Sequence, residues 1–214
     1  MKQDIAIIDY GVGNYASIFN ALQKIGANPV FVKNPQELKN FRKILLPGVG
    51  AFGQAMESLK KNDMHLAIRE YADNAEKQGC FLLGICLGMQ LLFEKSYEFG
   101  VFDGLGLIQG EVLPFDVESF SISQKVPHIG WNSLKIQQQD TLFDSLKDAE
   151  FLYFVHSYHV VPSDNHTILA TTNYGYEFVS IVRYGHLYGI QPHPEKSHNV
   201  GLRVLENFCK KEAK

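Results

Sequence analysis

Four short apolar runs divide the first 95 residues, and the segments between them are patterned for helix. The runs are Ile5–Asp9, Pro29–Val32, Lys43–Leu46 and Cys80–Ile85. Each is too short for a stable helix and is built largely from branched or bulky apolar side chains, which marks a buried strand. Asn14 stands where it would cap a helix whose Ile18, Leu22 and Ile25 recur at i, i+4 and i+7, and Gly26 falls just past its end. Met64, Ala67, Ile68, Tyr71, Ala72 and Ala75 share one helical face. Leu87–Glu94, directly after the fourth run, also reads as helix. Strands that alternate with helices pair in parallel and lie buried between them.

The texture changes after Gly104. Strand-like runs follow one another at Leu107–Val112, Phe151–Val155, Ile168–Thr172, Phe178–Tyr184 and Leu187–Ile190, and Gly185 marks the turn of a hairpin. Val200, Val204, Leu205 and Phe208 form the apolar face of a closing helix. The expected fold is α/β: a central, mostly parallel sheet flanked by helices, with an antiparallel extension, in a single domain over residues 1–214. A chain this long buries a substantial core, and 45% apolar with 20% charged residues excludes disorder. A net charge of −3 without a basic run argues against nucleic acid as partner. No apolar stretch approaches a membrane span, and Asp4 and Asp9 flank the only apolar run near the N-terminus, which no signal-peptide core would tolerate. Three cysteines without a CxxC pair form neither a disulfide framework nor a zinc site. They suit a reducing cytosol, so a cytoplasmic location is expected.

Two glycine motifs follow strands. Gly11-Val12-Gly13-Asn14-Tyr15-Ala16 matches a dinucleotide fingerprint on pattern alone. That reading needs a carboxylate at the end of the second strand, where Lys33 and Asn34 stand instead, so a tight strand–helix turn is the better account. Gly84-Ile85-Cys86-Leu87-Gly88 is sharper: G-x-C-x-G at a strand-to-helix junction is a nucleophile elbow with sulfur in place of a hydroxyl. Its glycines are needed where a Cβ would strike neighbouring backbone, and the N–H groups of the following helix favour a thiolate. Cys80 and Cys209 carry no such context and read as core residues.

A cysteine nucleophile needs a base. Of eight histidines, His193 stands out: it follows the last strand, Pro192 and Pro194 stiffen its segment, and Glu195 can orient its ring. His156-x-x-His159 lacks further ligands at metal spacing and reads as structural or substrate-facing. Pro47-Gly48-Val49-Gly50 follows a strand, and its backbone N–H groups with that of Leu87 would make an oxyanion hole.

Together these pieces resemble the class I (triad) glutamine amidotransferases, and among them the glutaminase subunits of imidazole glycerol phosphate synthases. The resemblance rests on IDYGVGN from Ile8, PGVGAFG from Pro47, GICLGMQ from Gly84, PHIGWN from Pro127, FVHSY from Phe154 and HPEKS from His193, in the family's order. Pro192 stands where relatives more often carry an aromatic. The resemblance implies a flavodoxin-like sheet and Cys86, His193 and Glu195 as the triad. It also implies Val49 and Leu87 as oxyanion donors, and Gly50, Gln90, Glu98, Ser157 and Tyr158 as the glutamine seat. Asn14, Trp131, Asn132 and Lys196 would meet a (βα)8-barrel cyclase in a heterodimer, with no cofactor and no metal. Two enzyme alternatives stay open: a related subunit feeding another synthase, such as one amidating a sugar, and a stand-alone cysteine amidohydrolase or peptidase. A third is a non-catalytic scaffold with a fossil site.

Overall fold

The structure, a computed structural model, describes residues 4–11, 13–121 and 124–212. Val12 of the first glycine motif lies outside the described residues, as do the chain ends of the expected 1–214 domain. The N-terminal part alternates as the sequence predicts: β1 (Asp4–Ile8), α1 (Tyr15–Lys24), β2 (Asn28–Val32), β3 (Lys43–Gly48), α2 (Phe52–Lys60), α3 (Met64–Gln78), β4 (Phe81–Cys86) and α4 (Leu87–Leu91). There follow β5 (Phe93–Ser96), β6 (Phe102–Asp103), β7 (Ile108–Pro114), β8 (His128–Ser133) and β9 (Lys135–Ile136). Next come β10 (Phe151–His156), β11 (Tyr158–Pro162), β12 (Ile168–Tyr174), β13 (Tyr176–Tyr184), β14 (Leu187–Ile190) and α5 (His198–Lys210).

The strands β2-β1-β3-β4-β14 form a parallel block in the flavodoxin-like order. From β14 the same sheet continues antiparallel through β13, β11 and β7, while β8 and β10 pair as a separate ribbon. Alternation along β1 sends Ala6 and Ile8 to the face covered by α2 and α3, and Ile5 and Ile7 to the face covered by α1 and α5. The hairpin at Gly185 forms as expected, with Tyr184 opposite Leu187.

Two local expectations are corrected. The helix expected over Leu87–Glu94 ends at Leu91, and Phe93–Ser96 leaves it as a strand that pairs in parallel with β7. Asn14 holds the N-cap position of α1, but its side chain makes no capping hydrogen bond.

What positions the site is the approach of α4 to the strand ends. A Cβ on Gly88 would overlap the carbonyl oxygen of Leu46 in β3. One on Gly84 would stand 2.5 Å from the Gly88 carbonyl oxygen, and one on Gly48 2.8 Å from the Gly88 amide. Gly88→Ala must therefore push α4 off the sheet. It is expected to lower the urea midpoint, with a loss of about 3 kcal/mol at unchanged m-value; an unchanged midpoint would contradict this packing.

Candidate active site

Cys86 closes β4 with φ +54° and ψ −113°, a conformation that L-residues rarely hold. The glycine contacts around α4 enforce it, and they leave the sulfur at the carboxyl edge of the parallel block, where open α/β sheets bind ligands. In the register, Gly48 of β3 lies opposite Cys86, and Ile190 of β14 lies opposite Ile85. The loop after β3 and the segment after β14 thus flank the elbow.

The segment after β14 delivers three side chains. His193 is tied down by its own N–H to the Tyr153 carbonyl at 2.8 Å, and its carbonyl accepts from Ser197 Oγ at 2.6 Å. Its Nδ1 meets Glu195 Oε1 at 2.7 Å, with both side chains buried. A carboxylate there takes the Nδ1–H and leaves Nε2, which has no partner among the described residues, for chemistry. Burial works against the imidazolium, but the Cys86 sulfur and the Glu195 carboxylate outweigh it and push His193 up to about 10.

Gln191, fully buried, is the residue that sequence reasoning missed. Its Nε2 donates to Cys86 Sγ at 3.6 Å, and its Oε1 accepts from Gln90 Nε2 at 3.0 Å. Gln90 spends its second amide hydrogen on the Tyr158 carbonyl, also at 3.0 Å. The only signal in the sequence was its place two residues before His193. Glu98 Oε2 accepts the Phe52 N–H at the start of α2, at 2.6 Å. Partial burial holds its carboxyl above the usual carboxylate range, against the opposing effect of that bond.

These groups converge. A cavity of about 170 Å³ is walled by Val49, Gly50, Cys86, Leu87, Gln90, Glu98, Ser157, Tyr158 and His193, with Val155 and His156 added to the sequence-derived set. It is smaller than the sites of drug-sized ligands, which suits one small polar substrate. Larger cavities, of about 490, 500 and 240 Å³, lie beside Lys211, Phe99 and His166, and none of the three has a cysteine in its wall. Among the described residues no three His, Cys, Asp or Glu side chains gather as metal ligands would. His159 instead pairs with the Tyr176 hydroxyl at 2.8 Å.

The model of the class-I glutamine amidotransferase family matches residues 6–211. A protein of Sulfurimonas denitrificans described as imidazole glycerol phosphate synthase subunit HisH is 51% identical, over 96% of this chain and 97% of its own. The protein of the same description from Wolinella succinogenes is 48% identical, over 96% and 98%. The chain belongs to the class I glutamine amidotransferases, in the HisH family. It is thus an amidotransferase subunit, an enzyme. The solved structure of PurLQS from Thermotoga maritima superposes with a TM-score of 0.73 over 97% of this chain and 98% of that one. At 21% identity, that likeness speaks for the fold of this amidotransferase alone.

Outside the amidotransferase cavity, Trp131 is 45% exposed and lies flat on the His198 ring, with centroids 4.8 Å apart. Tyr153 meets Trp131 edge-on at 6.0 Å, and Lys196 Nζ stands 5.9 Å from the Tyr153 ring, so these residues form one patch. The exposed Asn14 precedes α1, which packs against the Pro194–Lys196 turn. Asn132 is turned inward, onto the Asn173 carbonyl and His128. Among the described residues no helix is long and apolar enough to cross a membrane.

The three cysteines should react unequally. Cys86 opens onto the cavity, whereas burial pushes Cys209 up to about 12. Iodoacetamide on the native chain is expected to modify Cys86 first, as read by peptide mapping; prior labelling of Cys80 or Cys209 would contradict the elbow geometry.

Proposed function

We propose that this amidotransferase hydrolyses L-glutamine with Cys86, His193 and Glu195 and passes the ammonia to a (βα)8-barrel cyclase. The cyclase would use it to form imidazole glycerol phosphate and AICAR in histidine biosynthesis. The observation that carries the reading is the single cavity onto which the elbow sulfur, the Glu195-held imidazole and the Val49–Gly50 loop open. The HisH relatives support the pathway.

Cys86 attacks the side-chain amide carbon of glutamine. The oxyanion forms against the N–H groups of Leu87 and Val49. His193 protonates the departing ammonia, then takes a proton from water as it cleaves the glutamyl thioester and frees glutamate. Glu195 holds the ring and stabilises its cation. Gln90, Glu98, Gly50 and the backbone at Ser157–Tyr158 would hold the amino-acid end, with Glu98 facing the α-ammonium. The reaction needs no metal and no cofactor. Asn14, Trp131 and Lys196 would face the cyclase, with Asn132 turned inward just behind Trp131 and Trp131 as anchor, since aromatics at patch centres dominate interface energies.

Cys86→Ser should abolish glutamine hydrolysis and leave ammonia-dependent synthesis by the complex intact. Retained glutamine-dependent turnover would sink the assignment. His193→Asn is expected to cost about three orders of magnitude or more, and Glu195→Gln less. Glu195→Gln should also move the alkaline limb of kcat/KM to lower pH: the carboxylate raises the imidazolium's pKa, so without it the acid that protonates ammonia is lost earlier as pH rises. An unmoved limb would assign it to another group.

Wasteful hydrolysis would be held in check if the Val49 peptide turned its N–H toward or away from the oxyanion, a rotation that Gly48 and Gly50 permit. Only a partner with unequal affinity for the two states can shift that balance. Glutamate release should therefore be low alone, rise with the cyclase and rise further with the cyclase's ligand. Lys196→Ala should weaken that coupling more than it alters glutamine binding. Equal rates in all three conditions would point to a constitutive amidohydrolase.

A further inference from the structure

Behind the wall formed by His156 lie buried imidazoles that the triad does not use. His128 is stacked against Tyr174 and Phe154, with centroids 3.9 and 4.8 Å away, and His156 sits 5.1 Å from both Phe115 and Phe178. In such an aromatic box every ring nitrogen needs a hydrogen-bond partner, and the partners fix where each proton is.

The Tyr158 carbonyl can only accept, so His156 Nδ1, 2.9 Å away, carries a hydrogen. The group facing His156 Nε2 is another imidazole nitrogen, His128 Nδ1 at 3.0 Å, and among the described residues no carboxylate is paired with either ring. A neutral His156 then accepts at Nε2 and His128 donates from Nδ1. His128 Nε2, in turn, accepts from Asn132 Nδ2 at 3.3 Å. The Asn132 amide cannot be flipped: Nδ2 also donates to the Asn173 carbonyl at 2.9 Å, and Oδ1 accepts the Ser133 N–H at 2.8 Å. The chain has one polarity, pinned by backbone groups at both ends. Burial favours the same neutral state, pushing His128 down to about 4 and His156 to about 3.

At the inner end the Tyr158 carbonyl takes a second hydrogen from Gln90, Gln90 gives its other to Gln191, and Gln191 donates to the Cys86 sulfur. Hydrogen bonds thus run unbroken from Asn132, next to the exposed Trp131, to the nucleophile.

We propose that His128 and His156 are positioning residues of the glutaminase site. With Asn132 they form a strut that sets the Ser157–Tyr158 corner and the Gln90 amide against Cys86. This rests on the glutamine reading above. The strut is not a proton wire, because a carbonyl at one end and an amide at the other can neither release nor take up the proton a wire must move. Its outer end lies one residue from Trp131, so the face proposed for the cyclase and the glutamine seat share one rigid connection.

The test uses the full chain and two readouts. Long-range ¹⁵N NMR of the imidazoles at neutral pH should find both His128 and His156 neutral and protonated at Nδ1; an Nε2–H tautomer or a cation at either ring overturns the strut. The second readout compares two reagents on Cys86: a glutamine-shaped diazoketone, which must be seated to react, and iodoacetamide, which needs only the thiol. Asn132→Asp puts an acceptor against His128 Nε2 and should slow the diazoketone roughly fivefold to tenfold, the cost of a lost hydrogen bond, with the iodoacetamide rate nearly unchanged. His128→Leu should do the same, whereas His128→Gln, able to donate and accept at the same two points, should recover most of the rate. Equal slowing of both reagents, no slowing, or no difference between His128→Leu and His128→Gln overturns the proposal. A wild-type chain that accepts iodoacetamide but resists the diazoketone overturns the glutamine reading instead, whatever the tautomers prove to be.

Discussion

The first turn of α4 rests directly on the ends of β3 and β4, and three absent side chains make that approach possible. Gly48, Gly84 and Gly88 each face backbone where a Cβ would stand. Holding a non-glycine residue at positive φ costs about 1–3 kcal/mol, so it persists only where the surroundings over-determine it. Here they do: Cys86 is fixed between a buried strand whose six residues are all covered and a buried helix packed directly onto the strand ends. The same contact sets Leu87 beside the loop after β3, so the position of the sulfur and that of its backbone donors follow from one piece of packing.

The parallel pairing of β14 with β4 then brings the rest. Gly189 pairs with Gly84 and Ile190 with Ile85, so the chain leaves the sheet beside the elbow with Gln191, Pro192 and His193 next in line. Prolines on both sides of His193 restrict its backbone, and bonds to Tyr153 and Ser197 fasten it. Within five residues one segment supplies a sulfur-facing amide, an imidazole and the carboxylate that polarises it. Within this buried pair His193 Nδ1 and Glu195 Oε1 satisfy one another, which offsets part of the cost of burying them, while His193 Nε2 and Glu195 Oε2 stay without partners among the described residues.

Legibility in the sequence followed how local each cause is. The elbow, the His193–Glu195 pair and the strand–helix alternation are written in spacings of a few residues, and the structure brings them together. The helix expected over Leu87–Glu94 failed because nothing in Leu-Leu-Phe-Glu breaks a helix; β5 exists through its pairing with β7. β8 escaped notice because His128–Ser133 is polar and only half covered, and among the described residues its one strand partner is β10. That pairing sets His128 directly opposite His156, so the imidazole contact is a product of register and no motif could announce it. Gln191 was hidden for a similar reason: its meaning lies in Gln90 and Cys86, about a hundred residues earlier.

The loop between β3 and α2 shows how a rigid frame leaves freedom at one point. The Tyr10 hydroxyl donates to the Pro47 carbonyl at 2.8 Å, and Glu98 accepts the Phe52 N–H at 2.6 Å. Both ends are thereby held, and Gly48 is pressed against α4. Rotation is confined to the peptides between them, where Gly50 already stands at φ +91°, a conformation that costs glycine little and other residues much. The carboxylate that fastens the far end also lines the cavity. A cation bound there would compete for the charge that Phe52 now uses, so occupancy of the cavity and the stiffness of the oxyanion loop draw on the same carboxylate. A regulatory rotation at Val49 would need no wider rearrangement than that.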